Sequence, residues 1–307
     1  MALASLRPSA ADYLELVRAP AVLTVIGDTL AGSAAAEHAW TPRRALLPLA
    51  SACLYSGGMA LNDWADRDLD AAERPERPIP SGRISPRRAL GVAAGLGAAG
   101  LLLAGLGGGV RSLAVAGPLA AGVWLYDAVL KDTPAGPAAM AACRGLDVLM
   151  GAGVGRLRGA APAALTVAAH TASVTGLSRG EVHGTSRAVA GVALATTLAV
   201  GAVSAAGAAR AGGPAARVTA PSAPTTLTAG LATAAYLGTL VPAQLAAVRE
   251  PTAVHARTAT GVGIRAMIPL QAAWAARSGS PVAASVIGAV SLVGAVLRRR
   301  TRAVSET

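Results

Sequence analysis

The chain has 307 residues, of which 53% are hydrophobic and 14% are charged, and its mean hydropathy is +0.51. This balance is more apolar than that of an ordinary soluble enzyme, so we expect a membrane protein. Basic residues outnumber acidic residues by 27 to 16, which gives a net charge of +11, but they are dispersed among apolar segments and do not indicate a nucleic-acid partner.

Apolar segments long enough to cross a bilayer recur along the whole chain. A spanning helix needs roughly 17 to 25 mostly apolar residues, because lipid offers no hydrogen-bond partners to open backbone groups. The sequence therefore predicts an all-α bundle of nine transmembrane helices, or ten if residues 260–276 are included, within one membrane domain over residues 1–307. The nine helices are predicted over residues 20–36, 43–61, 89–107, 112–128, 137–155, 160–177, 188–208, 225–247 and 281–297.

The distribution of arginine predicts how these helices are oriented. Basic residues in short loops mark the cytoplasmic side, and residues 67–88 form the densest basic stretch. We therefore expect a multi-pass protein of the plasma membrane, with loops 62–88, 127–136 and 178–187 on the cytoplasmic face. Arg156 and Arg158 would then lie outside, against the rule. The arginines near residue 300 would lie inside only if there are ten helices.

The most informative stretch, residues 61–86, reads LNDWADRDLDAAERPERPIPSGRISP and directly follows an apolar helix. If that helix continues, the spacing of Asp63, Asp66 and Asp70 stacks three carboxylates along one face. Such carboxylates repel one another unless a cation lies between them. Magnesium suits hard oxygen ligands and binds substrate phosphates at the same time, so the cluster predicts a metal-bridged diphosphate.

Arginines follow the carboxylates and are candidate diphosphate ligands, because guanidinium groups pair with phosphate oxygens in a bidentate manner. The alternative is a solvated helix end with balanced surface charges. Ionisable groups beside a membrane helix are costly and suggest function, so we favour the binding site. The candidates are Arg67, Arg74, Arg77 and Arg83.

Asn62, Asp63, Asp66 and Asp70 match the pattern N-D-x-x-D-x-x-x-D at every defined position, and Arg77, Pro78 and Gly82 match a following R-P-x-x-x-G stretch. On these residues the sequence resembles the UbiA superfamily of membrane prenyltransferases. The resemblance implies a UbiA-like helix bundle that binds Mg²⁺ and a prenyl diphosphate. It further implies that the four motif residues are metal ligands, that Asn62 also contacts the diphosphate, and that Asp63 and Asp66 are catalytic.

Residues 124–151 resemble the Tyr/Lys stretch of the same superfamily, with Tyr126, Lys131 and Thr133 at the matching positions. The resemblance implies that Tyr126 and Lys131 bind the diphosphate, and Lys131 could steady the negative charge on the leaving group. The alternative for Lys131 is a snorkelling side chain at the membrane interface. Asp127 is a candidate metal ligand or an ion-pair partner of Lys131.

Arg144 and Asp147 lie three residues apart in an apolar segment, so we expect them to form an ion pair. That pair would either hold helices together or line the active cavity, where Arg144 is a further candidate diphosphate ligand.

The second acidic motif of the superfamily is degenerate in this chain. Where two aspartates are expected after the sixth helix, only Glu181 is present, with Arg179 beside it. Either Glu181 suffices as a metal ligand while Arg179 contacts phosphate, or Asp127 or Asp132 substitutes. His170 and His183 bracket this loop, each either as a hydrogen-bonded structural residue or as a general base.

The implied activity is magnesium-dependent transfer of a prenyl group within the membrane to an unidentified acceptor, a small molecule or a lipid and conceivably aromatic. Membrane lipids surround the bundle and shelter the prenyl tail. Alternatives are a UbiA-like terpene cyclase, a diphosphate lyase, and a non-enzymatic transport or structural protein. A soluble all-helical prenyl diphosphate synthase also uses aspartate clusters, but it would leave the membrane with salt, whereas this chain should need detergent.

Overall fold

The computed structural model describes residues 8–210, 223–280 and 282–290, with the side chains of residues 207–210 and 223–224 left out. Within these ranges the chain is helical and contains no β-strand. The α-helices are α1 (Ala10–Leu16), α2 (Ile26–Ala35), α3 (Leu46–Ala65), α4 (Arg67–Glu73), α5 (Pro86–Leu125), α6 (Gly136–Ala152), α7 (Leu157–Ser178), α8 (Arg187–Arg210), α9 (Ala223–Arg249), α10 (Ala253–Arg277) and α11 (282–290).

Length and apolarity mark several of these helices as membrane-spanning. In the described part of the chain, four helical segments are long and apolar enough to cross a bilayer. The all-α membrane bundle is therefore confirmed, while nine or ten crossings stays a prediction. The four segments are Pro42–Ala65, Pro86–Leu130, Arg187–Ala206 and Thr225–Arg249.

Three predicted helices differ in detail from the observed ones. The segment 20–36 begins as a 3₁₀ helix, Ala19–Thr24, and becomes α-helical only at Ile26. The segments 89–107 and 112–128 are joined in α5, which bends at Gly109, where φ is +69° and helical geometry is lost. A left-handed φ favours glycine, so the expected break between these segments survives as a kink.

Other differences concern lengths and short elements. The predicted helix 260–276 is part of the longer α10, which Thr252 caps by accepting a hydrogen bond from the His255 amide. Residues 282–290 confirm the start of the predicted helix 281–297, and the rest of it lies outside the described residues. The short helices α1 and α4 were not predicted, because neither has the length of a spanning segment.

Helices α2 and α6 pack backbone against backbone. A Cβ atom added at Gly32 would lie 1.8 Å from the Val148 carbonyl oxygen, and one added at Gly151 would lie 2.1 Å from the Thr29 carbonyl oxygen. Small residues allow this approach, which supplies packing energy where lipid removes the hydrophobic drive between helices.

We predict that Gly32→Ala destabilises the bundle by about 1–3 kcal/mol, because the new methyl group overpacks the α2–α6 contact. The midpoint of thermal unfolding in detergent measures the effect. Gly95→Ala is the matched control, since no atom lies within 4 Å of its added Cβ. Equal midpoints for the two variants would contradict this account of the packing.

Candidate functional site

The three loops expected to share a site lie at one end of the bundle. Lys131 after α5 donates to Asp66 after α3, and Arg179 after α7 donates to the Thr133 carbonyl. Arg257 of α10 donates to the Glu181 carbonyl at 2.8 Å. These contacts join the loops after α3, α5 and α7.

The carboxylates of the first loop form two groups. The helix is interrupted at Asp66, between the end of α3 at Ala65 and the start of α4 at Arg67, although the Asp66 and Asp70 amides still donate to the Asn62 and Asp66 carbonyls, and the acids divide between two sets of partners. Asp63 and Asp70 are both buried and share Arg77, whose Nη1 atom lies 3.4 Å and 2.5 Å from their respective oxygens. Asp66 turns the other way, toward Lys131.

Arg18 completes the first group, and sequence reasoning missed it. Its Nη2 atom lies 3.0 Å from Asp63 Oδ1 and 3.4 Å from Asn62 Oδ1. Arg18 adopts a left-handed conformation, with φ +48° and ψ +51°, at the entry to the 3₁₀ helix. Strained backbone of this kind is concentrated at functional sites, but it carries no signal in the sequence.

Asp127 lies at the centre of the second group. Asn62 donates to its Oδ1 atom at 3.3 Å, and Asp127 is buried on a π-helical turn, Tyr126–Leu130. Turns of this type are frequent at functional sites. Asn62, Asp66, Asp127 and Lys131 therefore gather where the first two loops meet.

Two of the predicted arginines are engaged away from this meeting point. Arg67 donates to the Trp64 carbonyl and stacks over the Trp64 ring at 5.1 Å. Arg83 pairs with Asp12 and Glu15 of α1, each at 2.7 Å. These contacts raise the pKa of Arg83, and the Arg83 hydrogen bond lowers the pKa of Asp12.

The expected pair of Arg144 with Asp147 is wrong. Arg144 Nη2 lies 3.0 Å from Asp28 of α2, while Asp147 accepts a hydrogen bond from Ser51 of α3. A partner on another helix could not be read from spacing along α6. His170 is fully buried between the Tyr236 hydroxyl and the Gly263 carbonyl, so the hydrogen-bonded alternative holds for this residue.

A cleft of about 1170 Å³ opens beside the loops, between α3, α6, α7 and α10. Arg18, Asn62, Asp127 and Glu181 line its outer part. An adjoining chamber of about 540 Å³ lies between α3, α5 and α6; most of its wall is apolar, but Ser51, Arg144 and Asp147 also line it. The residues that line both spaces are Tyr55, Met59, Tyr126, Asp127, Met140 and Arg144.

The donors at the cleft suit magnesium in chemistry and number. Over residues 8–210, 223–280 and 282–290, no three His, Cys, Asp or Glu side chains form a group that could hold an ion. Magnesium, however, usually takes one or two protein carboxylates and completes its shell with water and substrate phosphates. The oxygens of Asn62, Asp66 and Asp127 meet that need.

Sequence comparison finds a family model and several relatives that this chain resembles. A model of the UbiA prenyltransferase family matches residues 23–249. The digeranylgeranylglyceryl phosphate synthases of Methanopyrus kandleri and Ignicoccus hospitalis are 40% and 38% identical over 127 and 121 residues. These matches cover 40% and 39% of this chain and 45% and 39% of the relatives, so the chain spans less than half of their length. The protoheme IX farnesyltransferase of Gluconacetobacter diazotrophicus is 37% identical over 97 residues, 31% of this chain and of that relative.

Two solved structures share the fold. One, described as "Structural and mechanistic insights into the biosynthesis of Digeranylgeranylglyceryl phosphate synthase in membranes", has a TM-score of 0.62 and 18% identity, over 88% of this chain and 98% of that chain. The apo structure of a UbiA homolog from Aeropyrum pernix K1 has a TM-score of 0.60 and 20% identity, over 82% and 96%. At these identities the likeness concerns the arrangement of helices.

We predict that Asp70→Ala destabilises the protein by about 1.5–3 kcal/mol, because Arg77 loses its shorter carboxylate contact and keeps only the contact with Asp63 at 3.4 Å. Thermal unfolding in detergent measures the loss. Asp68→Ala is the matched control: the Asp68 side chain is 87% exposed and pairs only with Arg67 among the described residues, so about 0–1 kcal/mol is expected. A control as damaging as Asp70→Ala would refute the assignment of Asp70 to a buried ion pair.

Proposed function

Because this chain belongs to the UbiA prenyltransferase family, we propose that it transfers the prenyl group of a prenyl diphosphate to an acceptor within the membrane. The observation that carries the proposal is the meeting of Asn62, Asp66, Asp127 and Lys131 beside the cleft and the mostly apolar chamber, both of which Asp127 lines. A diphosphate held at this point has room for its hydrocarbon tail directly below.

The charged end of the substrate is bound by the side chains of the three loops. Lys131, released from Asp66, donates to the diphosphate as a compact positive charge, and Arg18 and Arg77 present guanidinium groups nearby. Asn62 and Asp66, together with Asp127, would hold Mg²⁺. The bound metal would draw negative charge from the leaving group.

In this proposal the remaining predicted ligands act at different distances from the diphosphate. Asp63 and Asp70 are catalytic support, because they hold Arg77 against the site. Arg74 pairs with Asp70 at 3.7 Å and faces solvent, where it reaches an entering diphosphate. Glu181 and Arg179, the remnant of the second acidic motif, lie across the cleft and complete the outer ligand set. Arg67 and Arg83 stabilise the loop through their contacts with Trp64 and with α1.

The chemical step places negative charge on the leaving diphosphate and positive charge on the allylic carbon, and the site stabilises both. The bond between the allylic carbon and the diphosphate oxygen breaks, and the electron pair leaves with the diphosphate, steadied by Lys131 and the guanidinium groups. The acceptor nucleophile then bonds to that carbon and loses its proton. The apolar chamber keeps water away from the developing cation.

The family assignment and the cleft support a prenyl diphosphate as the donor, but they give less information about the acceptor. We propose a small-molecule or lipid acceptor that enters the cleft between α7 and α10. We further propose that residues 1–307 act as one domain in the plasma membrane, with the loops after α3, α5 and α7 facing the cytoplasm. The magnesium requirement belongs to the same proposal.

Related activities would use the same diphosphate site. A terpene cyclase would capture the cation within the substrate, and a lyase would release it as an alkene. Diphosphate release without a prenylated acceptor would favour these alternatives. To separate transferase, cyclase and lyase, detergent-purified protein is incubated with Mg²⁺, native lipid extract and labelled prenyl diphosphates of several lengths. The labelled products are then identified by mass.

We predict that Asp66→Asn and Lys131→Met each lower prenyl transfer by about 100- to 1,000-fold, the usual effect of removing one group that stabilises transition-state charge. Initial rates of labelled product formation at saturating Mg²⁺ provide the measurement. Asp68→Asn, on the exposed face of α4, serves as the control and should retain the parent rate. Full activity in Asp66→Asn would sink the proposed site, whereas absence of product from the parent chain with every donor would sink the proposed reaction.

A further inference from the structure

A second group of polar side chains lies deeper in the bundle than the diphosphate loops. Asp28 and Gln271 are fully buried, Asp147 is 5% exposed and Arg144 is 8% exposed. Together with Ser51, these residues come from α2, α3, α6 and α10, and we refer to the five as the inner cluster. Polar groups at such depth are costly and mark sites of function.

The inner cluster forms around a break in the helical backbone. The Thr24 carbonyl, between the 3₁₀ helix and α2, accepts hydrogen bonds from Arg144 Nη2 and Gln271 Nε2, both at 2.8 Å. Gln271 also donates to Asp28 Oδ1 at 2.6 Å. Asp147 lies near Asp28, and its Oδ1 atom has no hydrogen-bond partner among the described residues.

The charge balance of the inner cluster is the decisive feature. Arg144 is the cation that contacts Asp28, and Asp147 adds a second carboxylate. The groups that face them from other helices are uncharged: Ser51 and Tyr55 on α3, and Gln271 on α10. The cluster therefore has no net positive charge, whether or not its two carboxyl groups share a proton.

The opposite wall of the cleft adds no charge at this depth. The two ring nitrogens of His170 lie 2.9 Å from the Tyr236 hydroxyl and 3.0 Å from the Gly263 carbonyl, and a neutral ring satisfies both contacts. Thr171 and Thr260 donate to carbonyls of their own helices and keep acceptor lone pairs. Arg144 lines the cleft facing this wall. Its Nη2 atom contacts Thr24 and Asp28, whereas its Nη1 atom makes no hydrogen bond to the described residues.

We propose that the cleft binds its acceptor through an uncharged oxygen group, a hydroxyl or carbonyl, recognised by Arg144 Nη1. The inner cluster sets this preference, because Asp28 and Asp147 cancel the attraction of Arg144 for an anion while leaving a hydrogen-bond donor in place. An acceptor that carries a carboxylate or phosphate at this point is disfavoured. The inference rests on the proposed function, in which the cleft is the acceptor site.

Equilibrium binding tests the inference without turnover. The probes are naphthalene methanol, which carries a hydroxymethyl group, and naphthoate, which carries a carboxylate on the same ring system. Probe fluorescence gives the Kd of each for detergent-purified protein at neutral pH. The parent chain should bind the alcohol at least about tenfold more tightly than the carboxylate. Arg144→Gln should weaken the alcohol by about tenfold, the loss expected for a hydrogen bond to a charged donor.

A charge-switch variant sharpens the test. Asp28→Asn combined with Asp147→Asn leaves Arg144 with a net positive charge, so naphthoate should gain about tenfold or more in affinity. Asp147→Asn alone is the matched control, because Asp28 still balances Arg144 and no gain is expected. If the double variant does not fold, the comparison of the two probes in the parent chain and in Arg144→Gln still decides the matter.

Equal affinities of the parent chain for both probes, or an Arg144→Gln variant that binds the alcohol unchanged, would overturn the inference. Because no prenyl diphosphate is present, these outcomes are distinct from a failure of the proposed reaction, which would appear as missing prenylated product in the turnover assay.

Discussion

Paired charge at the end of a membrane helix is the constraint on which the rest of the site depends. Asp63 and Asp70 are buried where a bilayer protein tolerates carboxylates only with partners, and Arg77 supplies one guanidinium to both. This pairing holds the loop after α4 against the end of α3. The same end of α3 carries Asp66, whose contact with Lys131 then fixes the loop after α5. Ion pairs thus join the first two loops before any substrate arrives, and the hydrogen bond of Arg179 to the Thr133 carbonyl adds the loop after α7.

The helices could be predicted from the sequence because the bilayer sets both their length and their composition. The end of α3 could not, because the helix break at Asp66 divides a motif whose spacing suggests one continuous face. Arg18 lies 45 residues before Asp63, so the spacing of neighbouring residues could not predict their contact. Arg144 was predicted either to hold helices together or to line the cavity, but its partner Asp28 comes from another helix, and only the tertiary fold brings them together.

The basic residues at the opposite end of the bundle have a local explanation. Arg44 donates to the Gly151 carbonyl at the end of α6, and Arg156 donates to the Ala36 and Glu37 carbonyls at 2.8 Å and 3.2 Å, just past the end of α2. His38 contacts the Ala152 carbonyl at 2.8 Å. Cations near helix C-termini satisfy carbonyls that lack partners and complement the helix dipole. Arg156 therefore has a capping role, which reduces its weight as evidence against the expected orientation.

The π turn after α5 determines which residues reach the cleft. The Lys131 amide donates to the Tyr126 carbonyl at 2.9 Å, a span of five residues where an ordinary helix spans four. The wider turn accommodates one additional residue and rotates the following side chains by roughly a quarter of a circle relative to a regular helix. Residues four apart, such as Asp127 and Lys131, share a face in a regular helix as well, so the wide turn matters most for Tyr126 and Lys131, which lie five residues apart and which a regular helix would set roughly 140° apart around its axis. A regular α-helix of this sequence would keep both residue types and lose that alignment, so local helical register, as well as residue identity, is part of the description of this site.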